Sequence, residues 1–306
     1  MTHVDTAADP DPVVAVGTGQ ITGKTQLPIP SLSPSRAGDF MNCPLLYRFR
    51  VIDRIPEKPS RDAVRGTVVH QVLEDLFDLP AADRTVERAT AMLPGAWAVV
   101  SASEADLASA LFTSAEDATQ WLNSAIPLVE MYFTLEDPTR LDPADRELHV
   151  EATLEGGLIV RGFVDRLDRN EAGDMRVVDY KTGKAPGAGY EQKALFQMRF
   201  YALVLWRSTG QLPRLLQLLY LGSGHVLRYE PDEADLIATE RKIIALWAAI
   251  ERAYETGDWR PNPSKLCGWC DHQTRCPEFG GTPPPLPLIS LSPTSKPTQR
   301  DHTSAG

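Results

Sequence analysis

The sequence predicts an α/β fold, a mixed β-sheet flanked by helices. Apolar residues at helical spacing dominate up to about residue 135, and period-two patterning takes over from 147 to 181. A helix, two further strands and a long helix then run to about residue 256. Helix, three strands, helix and strand in that order is the grammar of a layered α/β domain. The 306 residues have room for one large domain or two smaller ones, and no internal repeat divides them.

Each element has its own justification. Residues 1–25 and 282–306 are rich in Pro, Ser, Thr and Gly without apolar periodicity, so they read as disordered tails around a domain at 26–281. Ser33 or Ser35 suits an N-cap, opening a helix through Phe40, Leu45 and Phe49. A second helix covers roughly 61–78, with Val64, Val68, Val72, Leu73 and Leu76 on one side. Helical patterns fill 83–135, interrupted at Pro94 and Pro127. Strands follow at 147–155, 157–168 and 174–181, joined by turns at Gly156-Gly157 and 170–173 as a meander. A helix at about 190–208 precedes strands at 214–222 and 225–230 and a helix at 232–256.

Composition narrows the function classes. Hydrophobic content of 42% and charged content of 24% are ordinary for a soluble protein. No apolar run approaches the ~20 residues of a membrane span, and the acidic N-terminus lacks the order of a signal peptide. A cytoplasmic protein without a disulfide framework is the expectation. Net charge is −10, but residues 71–160 hold 17 acids against 4 bases, a local −13 that leaves +3 elsewhere. Residues 36–65 carry Arg36, Arg48, Arg50, Arg54, Lys58, Arg61 and Arg65 against four acids, which permits contact with a polyanion. The Thr182-Gly183-Lys184 stretch is no Walker A loop, because Val178 stands where the first glycine belongs.

The run RVVDYKTGK, residues 176–184, carries the chemistry. Side chains two apart on a strand share a face, so Asp179 and Lys181 emerge together while Tyr180 points away. That pair is either a surface ion pair worth roughly 0–1 kcal/mol or half of a metal-assisted hydrolytic site. The preceding strand ends in GFVDRLD, which brings Asp165 to the same sheet edge if the two strands form a hairpin. Two converging carboxylates suit a hard divalent cation. His70, after Gly66 in GTVVH, is a further ligand or a packing residue; Glu74 reads as surface. Gln197 and Tyr201 stand four apart on one face of the following helix, as site residues or as an aromatic core face.

The four cysteines form a second pattern. Cys267, Cys270 and Cys276 are spaced C-x2-C-x5-C, and Cys43 lies far upstream. In a reducing compartment this clustering suggests metal ligation, by zinc with Zn–S of ~2.3 Å or by a 4Fe–4S cluster. His272 would permit a Cys3His zinc site, and ordinary buried thiols are the remaining alternative.

In their order, GTVVH, GFVDRLD, VVDYKTGK and QMRFY resemble the RecB-type nuclease domain of the PD-(D/E)XK superfamily, over about Ser31 to Cys276. Val164 stands where the superfamily's name has proline. The resemblance implies a restriction-endonuclease-like core with a helical insertion at 83–135 covering part of the cleft. It implies that His70, Asp165, Asp179 and the backbone carbonyl of Tyr180 ligate Mg²⁺ or Mn²⁺, and that Lys181 is catalytic. Gln197 and Tyr201 would contact DNA or brace that lysine, and Arg36, Arg48, Arg61 and Arg65 would contact phosphates. The split cysteine layout resembles the iron–sulfur branch of these nucleases, which includes AddB-type subunits and CRISPR-associated exonucleases. That implies a 4Fe–4S cluster on Cys43, Cys267, Cys270 and Cys276, stapling the N-terminal helix to the C-terminal segment. The implied activity is exonucleolytic hydrolysis of single-stranded or frayed DNA in repair or recombination, beside a helicase or another repair protein. Two rivals stand against it. One is a catalytically silent DNA-binding scaffold, which loss of Asp165, Asp179 or Lys181 would have marked; none is lost. The other is a zinc-stapled interaction module using the Pro-rich tail.

Overall fold

A serine cap and a proline divide the first helical run into pieces. In the computed structural model, which describes residues 31–187 and 191–287, the Ser33 hydroxyl accepts from the Arg36 N–H and starts α1 (Pro34–Asn42). Pro44 forces the residue before it out of the helical region, and Cys43 is extended at φ −163°, ψ 111°. The single helix expected through Phe49 therefore breaks. It restarts as α2 (Pro44–Tyr47) and widens into a π-turn at Arg48–Ile52. Ser60 caps α3 (Arg61–Asp75), whose Val68, Val69, Val72 and Leu73 are fully buried. The insertion is five short helices: α4 (Val86–Ala91), α5 (Leu93–Ser103), α6 (Leu107–Leu111), α7 (Ala115–Asn123) and α8 (Ile126–Leu135). Pro94 and Pro127 lie in the first turns of α5 and α8, where a missing N–H costs nothing, so they open helices as well as interrupting them.

The sheet contains β1 (Ser31–Leu32), β2 (Asp145–Thr153), β3 (Ile159–Arg169), β4 (Met175–Lys181), β5 (Leu215–Tyr220) and β6 (His225–Tyr229). Antiparallel β2 covers one edge of β3, from Asp145↔Leu167 to Thr153↔Ile159. The other edge of β3 is shared: β1 pairs parallel at Ile159 and Val160, and β4 pairs antiparallel from Arg166↔Val178 to Arg169↔Met175. Among the described residues no strand pairs with that edge between Val160 and Arg166, which leaves a fork beside Asp165. Beyond it, β4 pairs parallel with β5, and β5 pairs antiparallel with β6. The predicted mixed sheet flanked by helices is the fold observed.

Each face of the sheet has its own core. On one, α9 (Gln192–Thr209), α10 (Glu233–Thr256), α1 and α2 bury Val160, Val164, Leu167, Val177 and Leu218. On the other, α3 and the insertion cover Val178, Tyr180, Leu219 and Leu221. Arg166 crosses into this second core at 1% exposure. It donates to the Tyr180 hydroxyl (2.8 Å), the Tyr132 hydroxyl (3.2 Å), Glu136 (2.8 Å) and Asp168 (3.0 Å). One guanidinium thus ties α8 to the β3–β4 hairpin.

Arg48 corrects an expectation. In the π-turn it points inward, donating to Asp53 (3.0 Å) and to the Pro284 carbonyl, and at 6% exposure it offers nothing to a phosphate. Leu286 packs against the first core, so the chain is still engaged just past residue 281. Of the expected tails at 1–25 and 282–306, the first and the part of the second from residue 288 lie outside the described residues. No helix among the described residues is long and apolar enough to cross a membrane.

Candidate active site

The site begins with a slip in strand periodicity. Strict alternation would put Val164 and Arg166 on one face of β3, yet Val164 and Leu167 share the first core while Arg166 enters the second. The phase changes at Asp165. Its cross-strand neighbour Glu147 has a left-handed φ of 45°, a strained value for a non-glycine residue that concentrates at functional sites. At the same level β4 separates from β3. Asp165 fills the opening, its Oδ2 accepting the Tyr180 N–H at 2.6 Å.

Four more groups converge on this fork. Gly66 lets α3 approach the end of β4, since a Cβ there would sit 3.0 Å from the Thr182 hydroxyl. One turn further on, His70 places Nδ1 3.5 Å from Asp165 Oδ2 and donates from Nε2 to the Tyr180 carbonyl at 3.0 Å. Asp179, 4% exposed, holds Lys181 Nζ at 2.6 Å and accepts from Gln197 Nε2 at 3.0 Å. Gln197 therefore braces the acid, not the lysine. Tyr201, one turn along α9, lies over β3 at Gly162, where a Cβ would come within 2.7 Å of its ring.

The electrostatics are those of a buried acid cluster. Burial raises Asp179, Asp165 adds to the rise, and Lys181 only partly offsets it, leaving the carboxyl at about 6. Burial and Asp165 push Glu147 up to about 7. For His70 burial opposes the charge, but Asp165, Asp179 and Glu147 outweigh it and raise the imidazole to about 9. Burial likewise opposes the Lys181 charge and Asp179 overrides it, so the side chain is an ammonium at neutral pH.

This chemistry fits a divalent cation. One ligand atom each from His70, Glu147 and Asp165 lies within 4.8 Å of the others, and excess negative charge in a partly dry site favours an ion over protons. Sequence reasoning missed Glu147, which reads there as an ordinary strand residue. The register that sets it opposite Asp165 comes from a three-residue turn at Glu155–Gly157, across which the Leu154 N–H donates to the Leu158 carbonyl, and not from the Gly156-Gly157 pair alone. Glu147→Gln is expected to weaken Mg²⁺ or Mn²⁺ binding about tenfold or more by calorimetry. Because Glu147 and His70 hold protons that the ion must displace, wild-type affinity rises from pH 6 to pH 8, and the rise is shallower in the variant.

The predicted DNA contacts separate. Arg36 lines the 900 Å³ cleft that contains Asp165, Asp179 and Lys181, and donates to Ser31. Arg61 is committed to the insertion, holding the Leu111 carbonyl and Asp117, and Arg65 pairs with Asp62 at 2.8 Å. No residue of 83–135 lines the cleft, so the insertion backs Tyr180 and does not cover the site as expected.

The four cysteines do assemble, all as free thiols around one cavity between α2 and the segment at 261–279. The backbone N–H groups of Asn262 and Ser264 point at Cys43 and Cys267, at 3.4 and 3.3 Å. His272 faces away from them, buried against Phe49 and 2.9 Å from Glu57, which argues against the Cys3His alternative.

Comparison with known proteins agrees with this geometry. The chain is 26% identical over 277 residues to the Gene 69 protein of Mycobacterium phage D29, covering 83% of this chain and 99% of that one. It is 31% identical over 126 residues to the Gene 69 protein of Mycobacterium phage L5, covering 40% and 41%. A candidate exonuclease from Eubacterium rectale shares the fold at a TM-score of 0.51 and 13% identity, over 79% of this chain and 87% of its own. The model of the PD-(D/E)XK nuclease superfamily, whose members use divalent metals, matches residues 31–277, and the chain belongs to that superfamily.

Proposed function

We propose that this nuclease hydrolyses DNA phosphodiester bonds with Mg²⁺ or Mn²⁺, acting from single-stranded or frayed ends in repair or recombination. The observation that carries the reading is the fork between β3 and β4, where Asp165, Asp179 and Lys181 meet beside His70 and Glu147. His70, Glu147, Asp165 and Asp179 would hold the ion, which supplies a Lewis acid for the phosphodiester and a more acidic water. The Tyr180 carbonyl accepts from His70 Nε2 and would offer its second lone pair to the ion, while Nδ1 faces Asp165. Lys181, held as an ammonium beside Asp179, would stabilise charge developing on the phosphate oxygens. Gln197 keeps Asp179 oriented toward the fork. Oligonucleotides labelled at the 5′ or the 3′ end test the exonuclease part. Stepwise shortening from one end supports it, and internal cuts in a circular single strand contradict it.

We further propose that Cys43, Cys267, Cys270 and Cys276 hold a 4Fe–4S cluster. A zinc tetrahedron would bring its sulfurs to about 3.8 Å from one another, by geometry from Zn–S of ~2.3 Å. Among the described residues no three cysteine sulfurs lie within 4.8 Å of each other, wider than that tetrahedron, and all four line one cavity. Anaerobically purified protein is expected to contain iron, absorb broadly near 400 nm and lose both in Cys43→Ser, with reduced thermal stability, since Cys43 joins α2 to the distant C-terminal segment. Zinc without iron would refute it.

A further inference from the structure

Floor of the cleft

Beside the metal-binding fork the cleft floor changes character. On β3, Arg161, Phe163 and Asp165 alternate with the buried Val160, Gly162 and Val164, so they form one row. On β2, Glu151 pairs with Arg161 and His149 with Phe163, and Glu147 stands at the level of Asp165, between the pairs Arg146↔Arg166 and Leu148↔Val164. Carboxylates occupy the fork end, an aromatic pair the middle and an oppositely charged pair the far end. Phe163 is 56% exposed, one of the few large apolar side chains left open to water, and His149 beside it is exposed as well. Their ring centroids are 5.1 Å apart with a 56° tilt. Both rings line the same cleft as Asp165, Asp179 and Lys181, and Arg36, Arg161 and Lys193 supply positive charge around it.

Occupant of the aromatic pair

Exposing a phenyl ring here forgoes the stabilisation of burial, and the packing of α9 needs no such residue, because β3 already gives it Val160 and Val164. We propose that Phe163, flanked by His149, is a base-stacking platform for an unpaired nucleotide next to the scissile phosphate. The inference rests on the nuclease reading and assigns to named residues the preference for an unpaired strand. Same-face residues on a strand are about 7 Å apart, so the platform sits one step along β3 from Asp165. That leaves a base on Phe163 while its neighbouring phosphate reaches the fork. Within a duplex the faces of a base are covered by its neighbours, so only a single strand or a frayed end offers a free face. Every base has such a face, and the platform selects strandedness without selecting sequence.

Test

Binding is measured by fluorescence anisotropy in a Lys181→Ala background, where cleavage is suppressed, with a single-stranded 20-mer, its blunt duplex and the same 20-mer carrying abasic sites near one end. Phe163→Ala is expected to weaken single-strand binding about ten- to a hundredfold and to lose the preference for intact over abasic DNA. Duplex binding should change little, and Phe163→Trp should restore the single-strand value. Equal binding of intact and abasic strands by the parent, or an equal loss for single strand and duplex in Phe163→Ala, would overturn the platform. Failure of the nuclease reading shows separately, as no cleavage by the protein with Lys181 intact; the binding comparison still reports on Phe163 in that case.

Discussion

Lys181→Ala is expected to reduce DNA cleavage at saturating metal and substrate by about a hundred- to a thousandfold, the range for removing one preorganised charge-stabilising donor. Lys181 is charged in the folded site because Asp179 holds its ammonium at 2.6 Å against the opposing effect of burial. Removing it deletes a positive charge from a cluster that already has too few. The effect should fall on kcat, since the lysine meets charge that develops only as the phosphorus is attacked. Divalent-ion affinity should rise slightly, because the Asp179 carboxylate loses its competing cation. Single-turnover rates with calorimetric metal binding on the same preparation separate the two effects. A fall in metal affinity matching the loss of rate would place Lys181 in a different role.

Arg166→Met is expected to destabilise the fold by about 3–5 kcal/mol, a fall of roughly 10 °C in melting temperature for a domain of this size. Arg166 is 1% exposed, and its substitution strands Glu136 and Asp168 together with two tyrosine hydroxyls in the second core. A nearby cation, Arg176, also contacts Glu136 and Asp168, at 3.2 and 2.7 Å, which limits the loss to the lower part of that range. Since Arg166 follows Asp165 directly and fixes the Tyr180 ring, activity should fall beyond what the unfolded fraction explains. Calorimetric unfolding of both proteins, with cleavage measured well below the lower melting point, checks both statements. A loss under 1 kcal/mol would mean that the network contributes little net stability.

Much of this site was legible because its information is local. The turn at 170–173 and the period-two run of RVVDYK require a β3–β4 hairpin, and the hairpin alone brings Asp165 to Asp179. Gly66 and His70 could be read as close approach plus ligand, and a threonine does stand against that glycine. Other features depended on direction in space, which periodicity does not carry. Glu147 matters through its left-handed backbone and its cross-strand partner, neither visible in a strand pattern. Arg48 has the charge for a phosphate contact, but the π-turn rotates it inward. Helical spacing at 83–135 identified the insertion without saying which face it covers; the apolar side of Tyr180 and its contact with Tyr132 decide that. The break at Cys43 was missed, because the expected helix ran past Pro44 to Phe49; it positions the isolated cysteine beside the other three.

The measurement that most directly tests the fork as a metal-dependent nuclease centre is cleavage of labelled single-stranded DNA by the wild type and Asp179→Ala, with Mn²⁺, Mg²⁺ or EDTA. The predicted result is cleavage by the wild type with either ion, none in EDTA, and a loss of at least a thousandfold in the variant while its fold persists. Intact wild-type protein that binds DNA but leaves it uncut with both ions, or an Asp179→Ala variant that cuts as well as the wild type, would contradict it.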